Sequence, residues 1–547
     1  MSYSSRNNLL SDGFNKIAGN RERISVNFMR AYLKSKGFLS DDPRWCDVYA
    51  FLNKIEEVNH DNFDKIFGNN ISDLNRCVNE NFIIEDFTLF NNTIKEIFEN
   101  QLANLKGEVN KYIPQLARQN PDKFGLSFCS IDGQRINLGD YDDPFSIQSI
   151  SSVINYGIAV EGEGLENVHK FVGKEPSGSG FGSVVLTTEH KPYNPMENIG
   201  AIMTCSLIER ELCSSAEKFD KVLGWWKRLA GGLKPGYDIA TYLSEKQVGD
   251  NNRCLSFFLQ SENLYPENTD IEQNLDLYFQ MNSIEMSCKK LAIVAATLAN
   301  GGVCPITKER VFQNSTTNYI LSLMYSCGLN DYSGQFSFKI GLPAKSCISG
   351  AIMVVVPNVG GFCTFAPRLD TFGRKLSRGI SARGISFYEE LVQRFTFHNF
   401  DIFSNIITVN SIECDENGCL INFSREKDRD DKEGNKQIDP LRKIKISQDE
   451  VISSLFYAAS ENDLNHLSHL ILKNVNLNLR DHNKRTALHV AASEGNYEAV
   501  KLLIKYGANP SLKDRFNNTP IDDALRGDHE KVYEYLKELG NKMIAKD

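Results

Sequence analysis

A spacing of 33 residues repeats through the last hundred residues of this 547-residue chain. Two sets of equivalent apolar positions keep this spacing: Ala458, Ala491 and Ala524, and also Leu470, Leu503 and Leu536. A unit of this length is one small supersecondary element, which cannot bury its apolar face alone. Successive units must therefore stack on one another, and three of them are close to the minimum that encloses a continuous core.

The middle unit carries residues typical of the ankyrin repeat. It reads DHNKRTALHVAASEGNYEAVKLLIKYGANP, and its TALHVA segment fits the T-x-L-H-x-A type of signature. Thr519 and Pro520 stand in register with it in the third unit. Because Thr and His join the turn to the helix pair by hydrogen bonds in this motif, we interpret His489 as structural. We expect the repeats either to bind a protein partner on their concave face or to pack subunits together.

The apolar pattern divides the rest of the chain into three parts. Helical spacing predicts a helical domain over residues 1–106, similar to EF-hands but without their calcium loops. Short β-rich runs such as FGLSFCSIDG and GAIMVVVPN alternate with helical ones such as SIEMSCKKLAIVAATLAN, which predicts an α+β domain over residues 107–402. The charged run REKDRDDKEGNK predicts an exposed linker over residues 403–447, before ankyrin repeats over residues 448–547.

Composition argues against several kinds of partner and site. A net charge of -9, with acidic and basic residues interspersed, leaves no extended cationic surface for nucleic acid. No apolar run reaches the roughly 18 residues of a membrane span, so no membrane partner is expected. The 13 cysteines include no Cys-x-x-Cys pair, which favours a reducing compartment and predicts no metal or organic cofactor. The first residues lack the apolar core of a secretory signal, so secretion is not expected.

The stretch SIQSISSVINY, residues 146–156, raises the question of a serine nucleophile. Ser149 lies where a loop ends and a helical run begins, so helix-end amides can favour negative charge beside its hydroxyl. A Ser-x-x-Lys arrangement requires a lysine three residues on, but that residue is Ser152. Lys345 and Ser346 follow the β-rich run FSFKIGLP and are similar to the Lys-Thr/Ser-Gly strand that flanks such clefts. A serine at a helix start is also a common N-cap, so spacing alone leaves both interpretations open.

Seven segments carry a resemblance to a known enzyme family. They are YIPQLA at Tyr112, GKEPSG at Gly173, NPMENIGAI at Asn194, NSIEMSC at Asn282, AATLANGGVCPITKERV at Ala295, SCGLNDYSGQF at Ser326 and GLPAKS at Gly341. Through them, residues 112 to about 401 resemble the catalytic domain of the glutaminases. These are serine-dependent enzymes with a β-lactamase-like fold that convert glutamine to glutamate and ammonia. The helical head and the ankyrin tail are arranged as in the animal kidney-type and liver-type enzymes.

The resemblance implies roles for individual residues. Ser149 matches the nucleophile, and Tyr112 matches the tyrosine that stands over the cleft. Glu245 matches the glutamate that receives the substrate α-ammonium, and the main-chain N–H of Ile348 matches the oxyanion donor beside that of Ser149. Further substrate contacts are implied for Asn198, Asn252 and Tyr278. Such a set suits glutamine, because it offers one carboxylate, several amides and phenols, and two N–H donors to a zwitterion with a neutral amide.

Three residues depart from the family pattern beside the nucleophile. Ser152 stands in place of the lysine that deprotonates the serine, and Asn330 in place of a nearby tyrosine. Cys347 stands in place of a glycine that lets the substrate approach the strand. Loss of a general base costs about 10²- to 10⁴-fold in rate, so strongly reduced or absent activity is one of two expectations for this glutaminase-like chain. Proton transfer by Tyr112, Lys345 or Tyr332 is the alternative.

Three functions are compatible with this sequence. The first is a glutaminase that forms a γ-glutamyl ester on Ser149, with phosphate as an activator by resemblance. The second is a pseudoenzyme that keeps the glutamine pocket and acts as a regulatory or co-assembling subunit. The third is an interaction protein that works through its ankyrin repeats. The resemblance also implies a homo-oligomer, either a dimer or a tetramer, and a mitochondrial location, for which the cytoplasm is the alternative.

Overall fold

A computed structural model of the protein divides the chain into two compact units. The described residues are 12–19, 21–68, 70–79, 81–84, 86–178, 184–212, 214–370, 380–400, 412–414, 420–423, 448–472 and 476–544. Those up to residue 399 belong to the first unit, and those from residue 400 onwards belong to the second. No helix in these ranges combines the length and the apolar character that a membrane crossing requires.

The head of the first unit consists of helices joined by a short β-pairing. Its elements are α1 (12–18), β1 (Arg23–Ser25), α2 (Val26–Ser35), α3 (Cys46–Leu52), β2 (Glu57–Asn59), α4 (His60–Phe67) and α5 (Ile71–Val78). β1 and β2 are antiparallel, with Ile24 opposite Val58. Ser25 then caps α2 by accepting the N–H of Phe28 at 3.2 Å. The helical prediction is confirmed for these segments, but the sequence did not predict the strands, because three residues are too few to set a period.

A further helix, α6 (Phe87–Gln101), packs in the core of the sheet domain rather than in the head. Its Phe90 ring lies 5.0 Å from that of Phe128 and 5.1 Å from that of Phe395, between centroids. Helical periodicity identified the apolar face of α6 but could not say which core that face enters. The division after residue 106 therefore stays a prediction from sequence.

Buried charges attach the head to the sheet domain. Asp42 is fully buried, and its carboxylate holds the guanidinium of Arg44 at 2.8 Å. Arg44 also donates to the carbonyl oxygens of Asp132 and Gly133 at 2.9 and 2.7 Å. The same guanidinium thus bonds to groups of both parts, which fixes their mutual position.

The sheet domain supplies the remaining elements of the first unit. These are β3 (Glu108–Val109), α7 (Pro114–Ala117), β4 (Gly125–Ser130), β5 (Arg135–Gly139), β6 (Phe145–Ser146), α8 (Ser151–Glu163), α9 (Leu165–Phe171), α10 (Asn198–Cys205), α11 (Ser215–Leu229), β7 (Gly236–Tyr237), α12 (Ile239–Val248), α13 (Asp250–Ser261), α14 (Ile271–Asn282), β8 (Ile284–Met286), α15 (Cys288–Ala299), α16 (Asn314–Cys327), α17 (Ser333–Lys339), β9 (Ala344–Ser346), β10 (Ala351–Val356), β11 (Gly360–Phe365), β12 (Arg368–Leu369) and α18 (Ala382–Arg394). Five strands form an antiparallel sheet in the order β5-β4-β11-β10-β9. A second sheet has the order β6-β8-β7, and β12 pairs with β3.

The five-stranded sheet separates two hydrophobic cores. In β10, Ala351, Met353 and Val355 face one core, while the alternate residues Ile352, Val354 and Val356 face the other. Helix α15 packs against β11 so closely that a Cβ on Gly361 would lie 2.3 Å from the Cβ of Ala295. The predicted strand in GAIMVVVPN is confirmed, and the absence of a side chain at Gly361 permits this helix-to-sheet approach.

Two sequence-based assignments in this domain are wrong. The run FSFKIGLP, predicted as β-rich, begins with the end of α17. Its phenylalanines alternate, but Phe336 is buried and Phe338 is 86% exposed, since Phe336 shares its helix face with Ile340 four residues on. The run SIEMSCKKLAIVAATLAN, predicted as helical throughout, begins with strand β8 before α15. In both runs a period-two pattern shorter than five residues was too brief to separate strand from helix.

Arg383 on α18 joins the end of α6 to the loop before β4. Its side chain is 2% exposed. Its guanidinium donates to four carbonyl oxygens, those of Leu102, Asn104, Asp122 and Lys123, at 3.2, 2.8, 2.8 and 3.4 Å. Leu102 is the C-cap residue of α6, where the last carbonyl oxygens have no N–H partner within the helix. The guanidinium supplies donors to carbonyls at this helix end.

We expect Arg383→Met to lower the free energy of unfolding by about 3–5 kcal/mol, because it leaves several buried carbonyls without donors. Urea unfolding followed by circular dichroism would measure the loss. Arg383→Lys is the matched control, and it should lose less, since one ammonium can still reach part of the set. Equal stability of Arg383→Met and the parent protein would contradict this role.

The second unit contains the three repeated helix pairs. Its helices are α19 (Gln448–Ser460), α20 (Leu464–Leu472), α21 (Ala487–Ser493), α22 (Tyr497–Lys505), α23 (Pro520–Arg526) and α24 (Glu530–Ile544). The Ala and Leu positions of the 33-residue spacing are all buried. His489 is fully buried, and its Nδ1 lies 2.8 Å from Thr486 Oγ1 while its Nε2 lies 3.2 Å from Asn518 O. The structural interpretation of His489 is therefore confirmed.

The predicted linker, residues 403–447, is described only over two short strands. β13 (Ile412–Cys414) and β14 (Leu420–Phe423) pair antiparallel. The charged run from Arg425 to Lys436 lies outside the described residues. Its assignment as an exposed linker stays a prediction.

Candidate active site

Ser149 lies on a single 3-10 turn, Gln148–Ile150, that leads into α8. Ile147 and Ile150 on either side of it are fully buried, and the N–H of Ile147 donates to Ile284 O at 2.9 Å. Gln148 has φ of 48°, a left-handed conformation that costs free energy for a residue with a side chain. The turn is thus anchored on both sides, while the Ser149 side chain stays partly exposed.

The Ser149 hydroxyl and the Lys345 amine meet at one carbonyl oxygen. Ser149 Oγ donates to Ser346 O at 3.1 Å, and Lys345 Nζ donates to the same oxygen at 3.2 Å. Lys345 and Ser346 belong to β9, an edge strand of the large sheet. The fold therefore brings the predicted nucleophile against the predicted strand motif, across almost 200 residues of sequence.

Lys345 is completely buried. Loss of hydration disfavours its ammonium form and lowers the pKa from 10.5 to about 8. Negative charge on Cys347, Cys327 or Glu197 would favour the ammonium, but these side chains offset the fall only in part. A fraction of Lys345 is therefore a neutral amine near physiological pH, the form that accepts a proton.

Ser152 is buried inside the first turn of α8. Its Oγ donates to the carbonyl oxygen of Ser149 at 2.8 Å and lies 3.5 Å from Met196 Sδ. A neutral hydroxyl cannot deprotonate Ser149 effectively, because it is a far weaker base than a neutral amine: its protonated form is far more acidic than an ammonium. The structure thus provides no base at this position, in agreement with the sequence.

The loop after β9 carries the predicted main-chain donor, Ile348, two residues after the carbonyl that accepts the Ser149 hydroxyl. The N–H of Ile348 has no protein acceptor among the described residues. The neighbouring Cys347 donates its own N–H to Ala351 O at 3.0 Å, and its Sγ lies 2.9 Å from Ser349 Oγ. Cys347 is only 1% exposed, and its assignment to the place where the substrate approaches the strand stays a prediction.

Glu245, on α12, is a buried carboxylate with one oxygen unpaired. Its side chain is 2% exposed, and Oε1 has no hydrogen-bond partner among the described residues. Burial raises its pKa from 4.5 to about 7, while the Gln148 amide and the Tyr112 phenol lower it in part. Because Gln148 directly precedes Ser149, this carboxylate lies beside the 3-10 turn that carries the nucleophile.

The remaining predicted residues lie around the same carboxylate and on α10 and α13. Tyr112 is 41% exposed, and partial burial followed by the Glu245 charge raises the pKa of its phenol. Tyr278, on α14, is 5% exposed, and burial raises its pKa, with smaller contributions from Glu245 and Tyr112. Asn198 Nδ2 donates to Asn252 Oδ1 at 3.2 Å. Within the described parts of the chain, these groups comprise a nucleophile, one main-chain N–H without an acceptor, amides and a carboxylate oxygen without a partner.

Comparisons with known proteins identify the family of the chain. The profile of the Glutaminase family matches residues 107–400, and a profile of ankyrin repeats (3 copies) matches residues 455–547. The mitochondrial liver isoform of glutaminase from Rattus norvegicus is 39% identical over 533 residues, which cover 96% of this chain and 83% of the rat protein. The chain belongs to the glutaminase family.

Other glutaminases and solved structures match a little over half of the chain. A glutaminase of Nostoc sp. is 42% identical over 297 residues, which cover 54% of this chain and 86% of the bacterial one. The solved structure of Mglu in its glutamate form has a TM-score of 0.53 at 31% identity, and covers 57% of this chain and 69% of that one. The β-lactamase-like fold predicted from the resemblance is confirmed, as are the ankyrin repeats.

Asn330, which stands in place of the family tyrosine, and Tyr332, its suggested replacement, both lie on the 3-10 turn before α17. Tyr332 packs in the core on the opposite side of the large sheet from the core that contains Ile147 and Ile150. Asn330 adopts φ of 51° on the 3-10 turn before α17, and its buried Oδ1 has no partner among the described residues. The Tyr332 ring thus belongs to a different core from the residues on either side of Ser149, which argues against it as the group that transfers the proton.

Two members of the glutaminase site were missed by sequence reasoning. Gln148 faces Glu245, and the carbonyl oxygen of Ser346 joins Ser149 to Lys345. No signal in the sequence marks Gln148 apart from its place before the nucleophile. A carbonyl oxygen carries no residue-type signal at all, since every residue has one.

No metal site is found among the described residues, since no three His, Cys, Asp or Glu side chains there are grouped to hold an ion. The cysteines with described side chains are unpaired thiols. A hydroxyl, an amine and a main-chain N–H donor, as found around Ser149, are groups that acyl transfer uses.

Proposed function

We propose that the protein hydrolyses L-glutamine to L-glutamate and ammonia, with Ser149 as the nucleophile. The observation that carries this proposal is the buried Glu245 Oε1, which lacks a partner among the described residues. An unpaired buried carboxylate oxygen costs free energy, and the α-ammonium of an amino acid would compensate that cost. The names of the rat and Nostoc relatives, both glutaminases, support the same reaction.

The other polar groups suit the rest of glutamine. With the ammonium at Glu245, the amides of Asn198 and Asn252 can donate to the α-carboxylate, and the phenol of Tyr278 lines the same side. The side-chain amide carbon then lies at Ser149 Oγ. The N–H groups of Ser149 and Ile348 receive the negative charge that develops on the amide oxygen, each worth about 10²- to 10³-fold in rate.

The reaction consists of two displacements at that carbon. Ser149 Oγ adds to it, and the amide nitrogen leaves as ammonia, which gives a γ-glutamyl ester. Water then adds to the ester carbon and releases glutamate with the serine hydroxyl restored. Tyr112, at the exposed edge beside Glu245, closes over the substrate.

Comparing glutamine with glutaramic acid, which has the same amide and carboxylate but no α-ammonium, tests the proposal. We expect kcat/KM for ammonia release to be at least about 10²-fold lower with glutaramic acid, because the Glu245 charge is then left unpaired. Ammonia release would be measured with purified protein, with and without phosphate. Asparagine is the control for length, since it keeps every polar group but falls one methylene short of Ser149.

Equal turnover of glutamine and glutaramic acid would contradict the role of Glu245. Glutamine binding in calorimetry without ammonia release would instead favour the second candidate function, a pseudoenzyme. The specific observation behind that candidate is Ser152, whose hydroxyl supplies no base. If the protein neither binds glutamine nor turns it over, the ankyrin repeats remain as the functional part.

We further propose features that come from the family rather than from the site. The mitochondrial name of the rat relative supports a mitochondrial location, with the cytoplasm as the alternative. The resemblance supports a homo-oligomer, a dimer or a tetramer, and activation by phosphate. The ankyrin repeats support a protein partner on their concave face.

A further inference from the structure

We infer that Lys345 is the residue that takes the proton from Ser149 in this chain, in place of the base lost at Ser152. The inference deepens the proposed glutamine hydrolysis and rests on it for the identity of the substrate. Its geometric basis is the shared acceptor: Ser149 Oγ and Lys345 Nζ both bond to Ser346 O, at 3.1 and 3.2 Å. The distance between Ser149 Oγ and Lys345 Nζ therefore cannot exceed the sum of these two distances.

The other candidates around Ser149 are engaged or too weakly basic. Ser152 donates its only hydroxyl proton to the Ser149 carbonyl oxygen. Tyr112 faces Glu245, and burial together with that carboxylate raises the pKa of its phenol, which keeps it protonated. Tyr332 packs in the opposite core. Among the described residues, Lys345 is the amine that shares a hydrogen-bond acceptor with the nucleophile.

The surroundings of Lys345 favour the neutral amine. Its side chain is fully buried, and burial lowers its pKa to about 8. The titratable groups that face it are Cys347 on the loop after β9, Cys327 at the end of α16 and Glu197 before α10. The charge of Glu197 is already shared, because its Oε1 accepts the amide of Asn194 at 3.0 Å and the N–H of Ser177 at 3.3 Å. It therefore cannot fully stabilise an ammonium.

The amine then serves both displacements with the same two protonation states. As the bond from Ser149 Oγ to the glutamine amide carbon forms, the hydroxyl proton moves to the lone pair of Lys345 Nζ. The ammonium returns a proton to the amide nitrogen as the carbon–nitrogen bond breaks and ammonia leaves. Water next gives its proton to Lys345 Nζ as its oxygen bonds to the ester carbon. The proton finally moves to Ser149 Oγ as the ester bond breaks.

The test uses the intact protein and two readouts, glutamine turnover and the rate at which a fluorophosphonate labels Ser149. The second readout reports deprotonation of the serine without requiring that glutamine be the substrate. In the parent protein we expect both rates to rise with pH through about 8, because only the neutral amine accepts the proton. In Lys345→Met we expect both rates to fall about 10²- to 10⁴-fold and to lose this pH dependence.

Three further variants separate a proton acceptor from a structural cation. Lys345→Arg keeps the positive charge but stays protonated, so it should be as slow as Lys345→Met. The double variant Lys345→Met with Ser152→Lys places an amine three residues after Ser149, and should recover at least about tenfold over Lys345→Met. Lys339→Met removes an exposed lysine of α17 that is paired with Glu389, and should label at the parent rate. Thermal unfolding of each variant verifies that it is folded.

The outcomes distinguish the inference from the function on which it rests. Parent-like labelling and turnover in folded Lys345→Met or Lys345→Arg would overturn the inference while leaving glutamine hydrolysis intact. Lysine-dependent labelling without glutamine turnover in the parent protein would overturn the proposed substrate and support the inference. If Ser152→Lys recovers no rate in a folded double variant, the result would count against Lys345 as a base. A base can be supplied by a lysine at position 152, whereas a cation with a structural role at position 345 cannot.

Discussion

Replacing Ser149 with alanine removes glutamine turnover while leaving glutamine binding in place. We expect ammonia release to fall at least about 10³-fold, because no other hydroxyl in the site is positioned to form the ester. The amino acid end of glutamine would be bound by groups that lie away from the turn of Ser149: Asn198 on α10, Glu245 on α12 and Asn252 on α13. We therefore expect the Kd for glutamine, measured by calorimetry, to change less than about threefold.

Ser322→Ala is the matched control for Ser149→Ala. Its hydroxyl donates to Asn318 O on the exposed face of α16, so its loss should leave both turnover and binding unchanged. Equal ammonia release by the parent protein and Ser149→Ala would show that the release is background and would remove the enzyme interpretation. Loss of glutamine binding together with turnover would show that Ser149 supports the pocket rather than the chemistry.

The architecture was largely predictable because it depends on periodicity. The 33-residue spacing of Ala458, Ala491 and Ala524 defines stacked helix pairs, and all three side chains are fully buried. The alternation in β10 likewise follows from a strand with a core on both faces. Strands β1 and β8 were not predicted because each is too short to show a period. For α6 the apolar face was predicted, but not which of two cores it packs into.

The site was predictable from resemblance but not from spacing. Ser149 and Lys345 lie almost 200 residues apart, and no pattern within the chain predicts that both reach one carbonyl oxygen. Burial decides the chemistry of the lysine, because the same side chain on a surface would stay charged near neutral pH. The inward turn of Cys347 depends on the neighbouring Ser349 and Ala351, which sequence alone does not place.

The buried Glu245 carboxylate lowers the stability of the folded protein but offers a charge to a ligand. Its pKa in the folded protein is about 7 against 4.5 for an ordinary glutamate, so the folded state binds this proton more tightly than the unfolded state. Stability therefore falls as pH rises from about 4.5 to 7, and above that range the loss is about 3 kcal/mol, from 1.36 kcal/mol per unit of pKa. A bound α-ammonium would return part of that free energy.

We expect Glu245→Gln to weaken glutamine binding by about 10²- to 10³-fold at pH 8, because it removes the charge that pairs with the ammonium. In the parent protein, affinity should rise as pH increases through about 7, where the carboxylate ionises, and level off above it. The variant should bind with one low affinity across that range. Calorimetry from pH 6 to pH 8.5 would measure both curves.

The same variant should become more stable, which separates a binding group from a structural one. Removing the buried charge should raise the free energy of unfolding by up to about 3 kcal/mol at pH 8, and by little at pH 5, where the parent carboxyl is already neutral. Urea unfolding at the two pH values would measure this difference. Glu272→Gln, an exposed glutamate in the first turn of α14, is the control and should change neither curve. A loss of stability in Glu245→Gln at pH 8 would mean that the carboxylate supports the fold. Removing a charge that holds other groups in place lowers stability, whereas removing an unpaired charge that binds only the ligand does not.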